Sequence, residues 1–97
     1  MTDTPIINNE EKNRFEAHVD QHLAELTYYY SRDSIVFTHT GVPDPISGRG
    51  VASRLAQTAL DYAREQDLKV VPLCPFVSSY ITRHPEYQDL VRRRPSE

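Results

Sequence analysis

A chain of 97 residues makes one domain with one core and leaves no room for a second. Its formal net charge of −3 argues against a general nucleic-acid or membrane-surface role, and its one cysteine, Cys74, excludes an internal disulfide. Apolar residues at 38% and charged residues at 26% fit a water-soluble protein able to fold as a monomer without staples.

The opening segment, MTDTPIINNEEK, lacks a basic start followed by an apolar run, so no secretory signal is read and a cytoplasmic location is expected. Residues 1–12 are polar and aperiodic, a loose arm that could pair weakly as an edge strand. From Phe15 the pattern alternates, with Phe15, Ala17 and Val19 on one side and Arg14, Glu16 and His18 on the other, the period of a half-buried strand. Asp20, Gln21 and His22 turn the chain into a second strand, Leu23 to Tyr30. Tyr28, Tyr29 and Tyr30 read as strand packing rather than a base-stacking platform, given the acidic chain. The polar Ser31-Arg32-Asp33-Ser34 makes a hairpin loop. A third strand, Ile35 to Val42, is β-branched and aromatic on both faces, as in a central strand covered on both sides.

The period then changes. Val51, Ala52, Leu55, Ala56, Ala59, Leu60 and Ala63 recur at three- and four-residue intervals, an amphipathic helix from about 50 to 66. Asp67-Leu68 leads into a strand over 69–73, and strand–helix–strand implies a right-handed crossover between parallel strands. Pro75 begins a second helix with Phe76, Val77, Tyr80, Ile81 and His84 inward, and Pro85 stops it. Tyr87, Leu90 and Val91 allow one further helical turn. Arg92-Arg93-Arg94 beside Pro95 reads as a solvated tail. The fold class is α+β: a mixed, mostly antiparallel sheet with one βαβ crossover and two main helices.

Two of the chain's three glycines, Gly48 and Gly50, fall in the loop PDPISGRG between a strand end and a helix start. Helix N-termini present bare amides and a positive dipole end, and glycine lets a phosphate approach them. Arg49 adds a fork suited to phosphate oxygens. The competing reading is a tight loop with no ligand. The spacing is neither GxGxxG nor GxxxxGK[ST], which excludes dinucleotide and triphosphate loops of those kinds.

Strand, glycine loop and amphipathic helix together resemble the acetyl-coenzyme A motif of the GNAT N-acetyltransferases. Gly50-Val51-Ala52 matches its Gly-x-Ala half, and Ser47 stands where arginine or glutamine is usual. His39-Thr40-Gly41-Val42-Pro43 and Pro72-Leu73-Cys74-Pro75-Phe76-Val77 resemble the minimal single-domain GNAT-like branch over roughly residues 14–91. The resemblance implies a truncated acyl-coenzyme A N-acyltransferase fold in which strands on either side of the crossover splay apart and pantetheine lies between them. Pro72 suits an unpaired edge there, although a plain edge strand would also hold it. The resemblance further implies that coenzyme A is held by Thr40, Val42, Gly48, Arg49, Gly50, Val51, Ala52 and Ser53, with a bulge near Gly41.

Cys74 and His39 are the candidate catalytic residues. Cys74, as N-cap of the second helix, faces a positive helix end that favours thiolate, and it could act as nucleophile or as proton donor. Packing at a strand end is the alternative. His39 could serve as general base, but strict alternation puts it on the face of Ile35 and Phe37, where a core histidine is the rival. Tyr80 matches a family proton donor yet lies on a buried stripe. No His/Cys/Asp spacing suggests a metal site. Three functions remain open: an acetyl-coenzyme A-dependent N-acetyltransferase acting on an amine, large or protein-borne; a coenzyme A-binding module without turnover; and an interaction domain with an empty groove.

Overall fold

The computed structural model describes residues 5–92. Five strands lie in the order of the sequence: β1 (Ile6–Asn9), β2 (Arg14–Val19), β3 (His22–Ser31), β4 (Ser34–Gly41) and β5 (Lys69–Pro72). The first four form an antiparallel meander, and β5 joins β4 in parallel after helix α1 (Val51–Glu65). Helix α2 (Pro75–Arg83) and a 3-10 stretch (Pro85–Leu90) follow.

Two-residue alternation puts Phe15, Ala17, Ala24, Leu26, Tyr28, Ile35 and Phe37 on one face of the sheet, all buried. Helix α1 covers that face with Leu55, Ala56, Ala59, Leu60 and Ala63. Three alanines in this stripe let helix and sheet approach closely. The helix ends where Asp67 adopts φ 57: the Leu68 amide donates to the Ala63 carbonyl at 2.8 Å and the Asp67 amide to Arg64 at 3.2 Å. These paired bonds cap the last carbonyls and aim the chain back at the sheet.

Ile6–Asn9 and Arg92, near the limits of the described residues, are both tied into the sheet. Ile6–Asn9 pairs along its whole length with Arg14–Ala17. Arg92 is no part of a solvated tail: its amide donates to Val70 and its guanidinium pairs with Asp33. Arg93 and Arg94 lie outside the described residues.

Among the described residues, no helix packs on the outer face of the sheet. Glu16 there is only 6% exposed, held by Arg14 at 2.6 Å and by Asn9 at 3.0 Å. The Arg14 guanidinium bond keeps the Glu16 carboxyl below its ordinary value of 4.5, outweighing burial. A depressed folded value means that the carboxylate stabilises the fold above pH 4.5 and loses that contribution as pH falls through the folded value. Glu16→Gln should therefore flatten the decline of urea midpoints below pH 4.5. An unchanged acid limb would show that Glu16 is not a source of that decline.

The candidate site at the splayed end of the sheet

The β4–β5 ladder runs from Ser34–Lys69 to Phe37–Pro72 and stops. The Cys74 amide then donates to the Phe37 carbonyl at 2.9 Å, the last backbone hydrogen bond before the chains part. Among the described residues, Thr38 to Gly41 continue β4 with β3 as their only strand partner. Pro72, with no N–H to offer, sits at the fork.

The loop after β4 turns through a short 3-10 segment (Asp44–Ile46), anchored by the fully buried Ile46. Gly48 and Gly50 follow at φ 79 and φ 78. A Cβ built at either would meet nothing within 4 Å, so the left-handed backbone, not crowding by the protein, calls for glycine. Left-handed residues alternating with ordinary ones point successive amides to one side, a concavity suited to anions. Among the described residues, the amides of Gly48 to Ser53 have no acceptor within the protein, and Gly50, the N-cap of α1, supplies no capping side chain. All of these residues but Arg49 border an open cavity of about 280 Å³ that Val42, Ser47 and Phe76 also line.

Six predicted cofactor contacts, Val42, Gly48, Gly50, Val51, Ala52 and Ser53, line this cavity. Arg49 does not. Its guanidinium pairs with Asp20 at 2.6 Å, across from the β2–β3 turn, and reaches the Pro45 carbonyl at 3.5 Å. Thr40 is absent from the lining too; its hydroxyl meets Cys74 Sγ at 3.1 Å. Phe76 and Ser47 line the cavity without having been singled out as contacts. Phe76 lies in the first turn of α2, and its position in the matching motif was the available signal.

Cys74 and His39 are not brought together. A bulge in β4 falls at Thr38, not at Gly41: Thr27 pairs with His39 while Tyr28 pairs with Phe37. The extra residue reverses the alternation. Thr40 thus returns to the inner face opposite Leu26, and His39 moves to the outer, exposed face instead of sharing that of Ile35 and Phe37. A core histidine is thereby excluded. The covering of β4 on both faces holds only for residues 34–37. Cys74 is 2% exposed and is the N-cap of α2, but its sulfur bonds Thr40 rather than the helix amides. Tyr80 is packed, stacked on His84 at 3.9 Å, and burial raises its hydroxyl pKa above 10. No cluster of metal-ligating side chains occurs among the described residues, and no helix there is long and apolar enough to cross a membrane.

Residues 14–90 match the model of a family described as GCN5-related N-acetyl-transferase. The chain belongs to that family. It is similar to Protein NATD1 of Homo sapiens, 42% identical over 73 residues, covering 74% of this chain and 65% of the relative. Protein NATD1 of Xenopus tropicalis is 37% identical over 67 residues, covering 69% and 62%. The match thus spans a little under two thirds of these relatives' own length. The fold is similar to that of a GCN5-like protein of Staphylococcus aureus known from solution NMR. There the TM-score is 0.74 and the identity 31%, over 97% of this chain and 93% of the other.

Coenzyme A is the group such a fold implies, and the residues present fit it. Bare amides on a helix N-terminus suit a diphosphate, the missing Cβ atoms leave it room, and the gap beside Thr38–Gly41 exposes strand edge for an amide-rich arm.

Proposed function

We propose that the protein transfers an acetyl group from acetyl-coenzyme A to an amine. The observation that carries this reading is the row of unpartnered amides at Gly48 to Ser53, facing an open cavity beside a parting sheet. Those amides hold the diphosphate, and the edge of β4 at Thr40 and Gly41, with Val42 just beyond it, aligns the pantetheine arm. When bound, the cofactor supplies an acetyl group activated as a thioester. No helix of the described residues covers the outer face, so the acceptor approaches from that side, which suits a large or protein-borne amine.

His39, exposed on that outer face, takes a proton from the incoming ammonium in this reading. The Cys74 thiol, on the inner face beside the Thr40 hydroxyl, has two uses: it can give a proton to the departing thiolate or accept the acetyl group itself. The cytoplasm suits either use, since a lone thiol stays reduced there.

One feature favours a second reading, a module that binds coenzyme A without turnover. His39 and Cys74 stand on opposite faces of β4 and share no hydrogen bond. Incubation with acetyl-coenzyme A and a panel of amines separates the two readings. Turnover should fall at least tenfold in the Cys74→Ala, His39→Ala double variant, and an acetyl mass on Cys74 would identify the nucleophilic route. Turnover that survives both changes would remove these residues from the chemistry. Absence of turnover with retained binding would favour the module. Amide NMR shifts over residues 47–53 that ignore millimolar coenzyme A would end both readings.

A further inference from the structure

Arg49 is the only cation of the glycine loop, and its charge is already engaged. Gly48 and Gly50 on either side of it line the cavity, while its guanidinium turns away to Asp20 at 2.6 Å. Asp20 lies 29 positions earlier, in a two-residue turn whose members Asp20 and Gln21 have φ 48 and φ 66. That turn projects the carboxylate beside the loop. The side chains are 50% and 65% exposed, and the second arginine contact, to the Pro45 carbonyl, is long at 3.5 Å.

Exposed ion pairs of this kind are weak and salt-screened. The diphosphate as a whole and the 3′-phosphate of coenzyme A each carry about two charges against the carboxylate's one, and both present oxygens suited to the guanidinium fork. Such a pair is therefore too weak to lock the loop and easily exchanged for a phosphate arriving at the neighbouring amides. We propose that Asp20 is a positioning residue that holds Arg49 until a phosphate of the ligand displaces it, so that the carboxylate sets the affinity for phosphorylated ligands. This rests on the coenzyme A reading above and adds a competitor built into the β2–β3 turn. Asp20 opposes binding twice, by occupying Arg49 and by repelling the incoming phosphates.

The test is calorimetric titration of the full chain with coenzyme A and with 3′-dephospho-coenzyme A, at low and high salt. Asp20→Asn keeps the shape of the side chain, and asparagine tolerates a left-handed backbone, so the turn survives. The variant should bind about two- to fivefold more tightly at low salt, the range an exposed ion pair spans. The gain should shrink at high salt and be smaller in an Arg49→Gln background. A gain confined to coenzyme A assigns the freed guanidinium to the 3′-phosphate, and a gain with both ligands assigns it to the diphosphate. In NMR spectra, the Arg49 Nε–H signal of the wild type should move on saturation toward its position in Asp20→Asn. Weaker or unchanged binding by Asp20→Asn, or an Arg49 signal indifferent to ligand, overturns the proposal while leaving the coenzyme A reading intact. Failure of the wild type to bind either ligand overturns both.

Discussion

Gly50→Val should weaken coenzyme A binding more than a hundredfold while leaving the protein folded. Gly50 sits at φ 78, a backbone region that costs a β-branched residue roughly 1–3 kcal/mol. A domain of this size holds about 5–15 kcal/mol, so the variant survives that strain. Apart from Gly50 and its chain neighbours, no atom of the described residues lies within 4 Å of where the new Cβ would stand, so the added branch projects into open space at a residue that lines the cavity. Each charge-assisted bond lost there is worth about 1.5–3 kcal/mol, and losing two exceeds a hundredfold. Gly50→Asn separates occlusion from strain, because asparagine accepts the left-handed backbone yet still places a side chain in the cradle. Both variants should show near-native circular dichroism, with binding measured by calorimetry. An asparagine variant that binds like the wild type would mean that the cradle is not the ligand's seat.

The cradle was legible because its ingredients are local. Two glycines, a polar loop and the immediate onset of a 3.6-residue apolar period fall within nine residues, and the left-handed angles at Gly48 and Gly50 are what glycine there is for. The same locality explains why α1, α2 and the three long strands match their periodicities to within a residue or two. What was not legible depends on pairing between distant segments. The bulge at Thr38 exists because β3 and β4 change register between Thr27 and Tyr28, and no composition cue marks it. It decides which face His39 occupies, so alternation alone assigned the wrong one. Gly41 looked like the irregular point but sits regularly opposite Glu25, and a Cβ there would come within 3.3 Å of His39 Nε2.

Charges tell the same story. The sequence neighbours of Arg49 suggest a phosphate ligand and those of Arg92 a solvated residue, whereas in the structure each guanidinium pairs with a carboxylate. Their partners, Asp20 and Asp33, lie 29 and 59 positions away, across turns that each sequence window sees separately. Cys74 shows the limit from the other side. Its place as N-cap was correctly read from Pro75, yet the sulfur turned to Thr40, 34 positions earlier on the neighbouring strand. Elements follow from local patterns here, and side-chain partnerships follow from topology.

Phe37→Ala should cost about 3–5 kcal/mol, the range for deleting a fully buried aromatic, and should lower the thermal midpoint by roughly 15–30 °C. Phe37 is 0% exposed, with its ring edge-on to Tyr28 at a centroid distance of 6.4 Å. It is also the last residue of β4 to pair with β5, and its carbonyl receives the Cys74 amide at 2.9 Å. One residue thus closes the core and marks where the sheet divides. Emptying its place removes the packing that fixes the fork, so coenzyme A affinity should fall together with stability in this variant. Thr38→Val, one residue on, lies at the exposed bulge and removes a hydroxyl bonded to Thr27 Oγ1 at 2.7 Å, so it should shift the midpoint by only a few degrees. Calorimetric scans of the two variants check the contrast. Equal midpoints would mean that the fork is held by β3 and the glycine loop rather than by the core beneath it.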